Sequence, residues 1–274
     1  MKNGKDSNIG MKCKVMTFNL RTAVITDGIN YWDNRIDLVK QCITEEAPDL
    51  IGFQEVRREM LTDLRSLVGD RYAVLGCGRD KNFGGEGVNL AYRRDAFELI
   101  SFETFWLSDT PGVPGSYYDH LDQSKCPRTT VIARLADKDG KVVTFCNTHL
   151  DHKGVLARIA GAEQIVQKLS VDASSSDALV ITGDMNALPD TPEIAVFGNE
   201  KLGLFDLTKD VDNTFHNFGA LLPENNGGAD KSVKIDYIFA NRTAKNEKAY
   251  TVKKYRLGNK FASDHYPVCA FIEY

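Results

Sequence analysis

The chain is poor in the groups that build several familiar sites. Five histidines in 274 residues supply a histidine-rich dinuclear zinc centre badly. Six cysteines, at 13, 42, 77, 126, 146 and 269, form no C-x-x-C pair, which removes zinc-ribbon and thioredoxin-type motifs. Several of them sit in apolar, strand-like runs and read as buried free thiols of a reducing compartment. No apolar run approaches the ~20 residues that a membrane-spanning helix needs. The polar start over 1–12 has no apolar leader core, and no long aromatic hairpin is present for membrane insertion. A cytoplasmic location is therefore expected, and a secreted or periplasmic one only for a chain whose leader had been removed. There is no excess of charge either: 34 basic against 38 acidic residues leave a net −4. A protein that holds duplex nucleic acid by bulk charge is basic, so any such contact here must come from a local patch. Linkers, low-complexity tracts and short repeats are also missing. A hydrophobic share of 42% and a charged share of 26% are ordinary for a globular protein. One domain over 12–274 behind a polar tail at 1–11 is the expected organisation, as a monomer.

What is present alternates between two periodicities. Residues 14–19 read as a strand with Val15, Met16 and Phe18. Asp33 is placed to cap a helix that runs to Ala47, with Ile36, Val39, Ile43 and Ala47 at helical spacing and Pro48 as its stop. Residues 49–54 then form an apolar strand, and Leu61, Leu64 and Val68 suggest a further helix. Strands are expected at 88–92 and 97–107. A hairpin joins 128–135 to 141–148 around Asp137, Lys138, Asp139 and Gly140. Val155, Ile159, Ala162, Val166 and Leu169 mark the face of a second long helix, followed by a serine-rich loop at 171–177. Strands at 178–182, 234–240 and 267–272 complete the pattern, with loops at 110–116 and 219–229. Strand–helix–strand thus occurs at 14–55 and again at 142–184, which favours parallel pairing. The hairpins favour antiparallel pairing. Together they predict an α/β fold: two mixed sheets packed together with helices outside.

Buried strands that end in carboxylates are the chemical signal. Ile51, Gly52, Phe53 and Gln54 lead into Glu55, and Val180, Ile181, Thr182 and Gly183 lead into Asp184, Met185 and Asn186. Extended backbone would place Asp184 and Asn186 on one side. Asp236 lies inside an apolar run, where a charge is costly unless paired, and Asp264 and His265 precede the last strand. His149 closes another strand. Singly, each residue reads as a cap, a turn or an ion-pair partner. Four acid-bearing strand ends with two histidines are hard to explain as caps.

The segments carrying these residues resemble the endonuclease/exonuclease/phosphatase superfamily, which includes DNase I-like nucleases, abasic-site endonucleases, inositol polyphosphate 5-phosphatases, bacterial sphingomyelinases and deadenylases. The matching runs are Thr17–Arg21, Phe53–Val56, Asn147–Asp151, Gly183–Asn186, Ile235–Ile238 and Ser263–His265, in the family order. The resemblance implies a four-layer α/β/β/α sandwich and a divalent-metal-dependent phosphoester hydrolase, a phosphodiesterase, phosphatase or nuclease. It implies Glu55 as main metal ligand with Asn19 and Asp264 near the metal. Mg²⁺ suits such oxygen donors, with Mn²⁺ or Ca²⁺ as substitutes. Asp184 would orient or deprotonate water, and Asn186 would hold a phosphate oxygen. His265 would be held by Asp236, and His149 would serve phosphate or leaving group; Asp184 and His265 both stand as candidates for the base.

Gly85–Gly87, Leu90–Arg94, Thr104–Ser108 and Cys126–Arg128 resemble a bacterial phosphodiesterase/phosphatase-like branch. In it Glu86 and Arg128 would line the cleft, Glu86 or else standing as a loop charge, and Arg128 as a bidentate phosphate clamp or else as a plain surface-strand residue. The loops at 76–87, 109–127 and 216–232 would rim the pocket. A small phosphodiester, a sugar or inositol phosphate and a nucleic-acid end are all open as substrates. Two other readings compete. Thr148–His152 resembles the end of the metal motif of metallo-β-lactamase-fold zinc hydrolases, but position 147 is Asn rather than His. A non-catalytic binding module on the same scaffold would have shed some of the acids, and all are present.

Overall fold

A computed structural model describes residues 10–198 and 201–274; most of the expected tail at 1–11 lies outside them. β1 (Lys12–Asn19) leads through a 3-10 turn to α1 (Trp32–Glu46), β2 (Leu50–Val56), α2 (Arg58–Val68) and the hairpin β3 (Tyr72–Gly78), β4 (Gly87–Arg93). β5 (Phe97–Trp106), β6 (Thr129–Asp137) and β7 (Val142–His149) form a meander, and α3 (Val155–Asp172) crosses to β8 (Ala178–Asp184). The chain continues through α4 (Pro192–Phe197), β9 (Phe205–Asp206) and β10 (Asp236–Ala240). It closes with β11 (Tyr250–Thr251), the small hairpin β12 (Arg256–Leu257), β13 (Lys260–Phe261), and β14 (Val268–Glu273).

One six-stranded sheet has the order β11-β14-β1-β2-β4-β3 and the other β5-β6-β7-β8-β10-β9. β1–β2 and β7–β8 are parallel, each joined by a crossover helix, and every other pair is antiparallel. The two strand–helix–strand units therefore lie one in each sheet. Three apolar clusters account for the layers. Met16, Phe53 and Ile51 pack with Val39, Ile43 and Leu64 between the first sheet and α1–α2. Val15, Leu50 and Ile272 meet Val143, Phe145 and Ile238 between the sheets. Cys146, Ile181 and Phe239 meet Ile165, Leu169 and Phe197 between the second sheet and α3–α4. The result is the α/β/β/α sandwich.

A polar seam crosses the inter-sheet core beside the strand ends. Gln54 Nε2 donates to Asn147 Oδ1 at 2.7 Å and to Thr17 Oγ1 at 3.1 Å. Asn147 Nδ2 donates to the carbonyls of Phe53 (2.8 Å) and Asn89 (2.9 Å), and Thr182 Oγ1 donates to Asn147 Oδ1 (3.0 Å). These cross-sheet bonds define one register of sheet on sheet, although Gln54 Oε1 finds no partner among the described residues. Gly52 is required there, because a Cβ would stand 2.0 Å from Thr182 Oγ1 and 2.4 Å from Asn147 Oδ1.

Several expectations about elements need correction. Asp33 is not the cap of α1: Tyr31 holds that position without a side-chain cap bond, and Asp33 sits in the first turn. The 171–177 segment is not all loop, since α3 continues to Asp172 and a 3-10 turn follows at Ala173–Ser175. The late strand begins at Asp236 rather than 234. β3 and α4 had no sequence reading; α4 is only six residues long, too short to show a period. All six cysteines are free, four of them buried. Among the described residues no helix is long and apolar enough to cross a membrane.

Candidate active site

The carboxylates gather at one end of the two sheets, where β1, β2, β7, β8 and β10 meet. Asn19, the last residue of β1, is the hub. Its Nδ2 lies 3.2 Å from Glu55 Oε1 and 2.9 Å from Asp184 Oδ2, one carboxylate from each sheet. Its Oδ1 accepts from the Arg21 N–H at 2.9 Å. Glu55 Oε2 accepts from the Thr22 N–H at 2.9 Å. Glu55 has φ 62°, and the β2–β4 register slips between Phe53 and Val56. A left-handed glutamate at a bulge is strained, and such strain is commonly kept where it aims a functional side chain.

Asp184 and Asp236 face each other across the β8–β10 pair. His265 Nδ1 lies 2.8 Å from Asp236 Oδ2, so the buried acid has the partner that its apolar surroundings demand. Thr214 Oγ1 donates to the same oxygen at 2.6 Å. His265 Nε2 stands 3.8 Å from Asp184 Oδ2 and 4.0 Å from Asp264 Oδ1, while His149 Nε2 is 3.6 Å from Asp184 Oδ2. Asn186 does not follow Asp184 in extended geometry as its spacing suggested. The strand ends at Asp184, Asn186 has φ 47°, its N–H donates to Asp184 Oδ1 (2.9 Å) and its Nδ2 donates to the Leu150 carbonyl (3.1 Å).

The electrostatics separate the acids. Burial, then the charge of Asp236, pushes Asp184 up to about 7. Asp264 is also raised by burial, with Glu55 adding to the effect. Burial opposes ionisation of Glu55 too, but the Thr22 N–H, His265 and Asn19 outweigh it and hold its pKa below the usual range. Burial would lower His265, yet the charge and hydrogen bond of Asp236 raise it to about 10. His149 has no such partner; burial and Arg128 keep it well below its ordinary value, as a neutral imidazole. Asp184, Asp236 and His265 bring potential ligand atoms within 4.8 Å of one another, a buried group that could hold a metal ion.

A narrow recess beside this cluster is lined by Arg79, Glu86, Arg128 and His149. Glu86 pairs with Arg79 at 2.9 Å. Arg128 is no surface residue: it is 4% exposed, and its Nη2 donates to His152 Nδ1 at 2.9 Å. Its Nε and Nη1 are buried without a hydrogen-bond partner among the described residues. Asp151 Oδ1 serves the N–H groups of Ser124, Lys153 and Gly154, which anchors the 109–127 loop. With Asn147 in the inter-sheet seam and Asp151 so occupied, the run 147–152 builds no zinc site of its own.

Sequence reasoning missed Arg35. It is fully buried on α1, and its guanidinium donates to four carbonyls: Asn30 (2.7 Å), Leu20 (2.5 Å), Arg21 (2.5 Å) and Ala262 (2.8 Å). These flank Asn19 on one side and Asp264–His265 on the other, so one side chain ties both segments of the cluster to α1. The available signal was its position on the stripe of Val39 and Ile43, where a cation must find acceptors. Arg35→Met is expected to destabilise the metal-free protein by about 3 kcal/mol or more, from lost charged hydrogen bonds and orphaned carbonyls. Urea unfolding measures this, and a loss under about 1 kcal/mol would remove the positioning role.

The sequence profile of the Endonuclease/Exonuclease/phosphatase family matches residues 16–265. An endonuclease/exonuclease/phosphatase from Bacteroides vulgatus superposes with TM-score 0.83 at 30% identity, over 96% of this chain and 99% of that one. A mannosyl-6-phosphatase from Bacteroides thetaiotaomicron does so with TM-score 0.77 at 27% identity, over 94% and 98%. The human nocturnin catalytic domain, at 19% identity over 96% and 94%, shares the fold with TM-score 0.71. An uncharacterized protein of Acanthamoeba polyphaga mimivirus is 24% identical over 95% of this chain and 100% of its own length.

Proposed function

The chain belongs to the Endonuclease/Exonuclease/phosphatase family, and on that premise we propose that it is a divalent-metal-dependent phosphoester hydrolase acting through an activated water. The observation that carries this reading is the Asn19 amide, which joins Glu55 of one sheet to Asp184 of the other within hydrogen-bond reach. Residues spread over the whole chain thus meet at one end of the two sheets, and convergence of this kind is what a single phosphoryl transfer requires.

Glu55, Asp264 and Asn19 would hold the metal. All offer oxygen, the donor that a hard cation such as Mg²⁺ takes, and the pKa of Glu55 is held below the usual range. The Asp184–Asp236–His265 group fits such an ion less well, because the imidazole is committed to Asp236 and protonated at neutral pH. When bound, the cation supplies charge neutralisation on the phosphoryl oxygens. The protein's own residues do the rest. Asp184, titrating near neutrality, accepts the proton of the attacking water, and this favours it over His265 as the base. His265, held as an imidazolium by Asp236, places positive charge and an N–H beside the phosphorus. Neutral His149 offers an N–H to phosphate or leaving oxygen, and Asn186 an amide to a phosphate oxygen. Arg128 lines the same recess, its Nε 3.7 Å from Asp151 Oδ2, and would add positive charge beside a bound phosphate.

The Bacteroides mannosyl-6-phosphatase likeness favours a phosphomonoester as the substrate. The test compares p-nitrophenyl phosphate with bis(p-nitrophenyl) phosphate under Mg²⁺, Mn²⁺, Zn²⁺ and EDTA. Expected is EDTA-sensitive turnover with Mg²⁺ or Mn²⁺, faster on the monoester. No turnover with any metal would point to the binding-module reading, and activity with Zn²⁺ alone to a different metal chemistry.

A further inference from the structure

The Arg128 recess is held from outside itself. Arg79, Glu86, Arg128 and His149 line it, and Asp151 and His152 do not. Two guanidiniums thus share a narrow space, and each has its own counter-charge. Arg79 pairs with Glu86 at 2.9 Å, while the Nε of Arg128 faces Asp151 Oδ2 at 3.7 Å. Burial, then the neighbouring charge of Arg79, opposes the cationic form of Arg128, so this side chain needs a fixed partner. Asp151 is 2% exposed. Burial opposes its ionisation, but the Gly154 N–H and the hydroxyl and N–H of Ser124 hold its pKa down to about 2, so it is charged at neutral pH. His152 supplies the second hold. A guanidinium has no acceptor, so the 2.9 Å contact between Arg128 Nη2 and His152 Nδ1 requires an unprotonated Nδ1.

The same run of chain is braced against the 109–127 loop, from which Arg128 emerges. Asp151 Oδ1 accepts from the N–H groups of Ser124 (3.1 Å), Lys153 (3.0 Å) and Gly154 (2.8 Å). In return Asp122 of the loop takes the N–H groups of Leu156 (3.2 Å) and Ala157 (3.0 Å) in the first turn of α3, where Gly154 offers no side-chain cap. Gly154 is required at this crossing, because a Cβ would stand 2.5 Å from Asp122 Oδ1 and 2.6 Å from the Asp122 carbonyl oxygen. The second oxygen of Asp151 has a different duty. Oδ2 is turned to the Ser124 hydroxyl and to Arg128 Nε, with His152 Nδ1 at 3.9 Å. One carboxylate therefore joins the loop, the start of α3 and the guanidinium, and His149 stands on the same run.

We propose that Asp151 and His152 are positioning residues of the recess: they hold the Arg128 guanidinium in place and through it set the affinity for the substrate's phosphate, without touching substrate themselves. The proposal deepens the hydrolase reading and rests on it. A guanidinium fixed before the ligand arrives loses less freedom when it binds an anion, and that saving appears as affinity.

The experiment is a double-mutant cycle read on KM and kcat for p-nitrophenyl phosphate and on the competitive Ki of inorganic phosphate. Asp151→Asn and His152→Ala are each expected to raise KM and Ki by about tenfold while kcat changes by less than about threefold. On an Arg128→Met background neither substitution is expected to raise Ki further, because there is no guanidinium left to position. His152→Gln, whose Oε1 can accept from Arg128 Nη2, should bring Ki back to within about threefold of wild type. A rise in Ki that is equal on both backgrounds, or a Ki that both variants leave unchanged, would overturn the positioning role; a merely structural residue would lower the melting temperature without this coupling. The His152 side chain is 42% exposed, so its variants decide the matter even if Asp151→Asn does not fold. If the wild type hydrolyses nothing, the hydrolase reading fails separately, and calorimetric Kd values of inorganic phosphate across the same cycle test the positioning role. A wild type that binds no phosphate would overturn it as well.

Discussion

Glu55→Gln is expected to reduce metal-dependent hydrolysis by about a thousandfold or more, the scale on which a single preorganised electrostatic partner of a transition state acts. The substitution keeps the volume and one acceptor oxygen for the Thr22 N–H or the Asn19 amide. It removes a carboxylate whose pKa is held below the usual range. Of the remaining acids, Asp184 and Asp264 are raised by burial and hold a cation less readily, and Asp236 is engaged by His265 and Thr214. The loss is therefore expected in metal affinity as well as in turnover. Calorimetric titration of the metal-free protein with Mn²⁺ separates this from a folding defect. Near-normal turnover at low Mg²⁺ would remove Glu55 from the metal site.

Asp236→Asn is expected to lower kcat by about 10² to 10⁴, the range seen when an acid–base group loses its protonation state or its orienting carboxylate. Asparagine can keep its Oδ1 as acceptor for both Thr214 Oγ1 and His265 Nδ1, so the geometry survives and the charge is lost. His265, no longer raised to about 10, falls towards its ordinary value and becomes a neutral imidazole in mildly alkaline solution. The stability of the metal-free protein provides a second readout with a definite sign. A histidine whose pKa is raised on folding contributes stability that is fully present below its unfolded value, near 6.5, and lost as pH rises through the folded one. The melting-temperature gap between wild type and variant should be widest below about pH 6.5 and close towards pH 10. A gap independent of pH would show that Asp236 does not set the charge of His265.

These two residues also show how far sequence alone reaches. Glu55 and Asp236 were legible because each interrupts an apolar strand, and an ionised group at such a place must have a partner or a task. Arg128 was not decided by its neighbours in sequence, since an arginine leading into a strand is as often solvated as buried. The fold decides it by packing the 79–86 loop and His149 around its guanidinium. The expectation that Asn186 shares one side with Asp184 rests on a spacing rule that fails where β8 ends and the backbone turns left-handed. Arg35 was hidden because a helix face shows which residues are buried, not which carbonyls will meet them.

Local pattern determined the two crossover units, the main hairpin, the three apolar layers and the identity of the acids, because each depends on residues within a few turns or along one strand. Tertiary structure alone decided what those residues do together. Asn19 and Asp184 are 165 positions apart and Gln54 and Asn147 are 93. Their contacts exist only because a polar seam and Gly52 fix one register of sheet on sheet. The pKa differences that distinguish Glu55, Asp184 and His265 follow from that same register, since burial and charge proximity are properties of the packed sheets and not of any one strand.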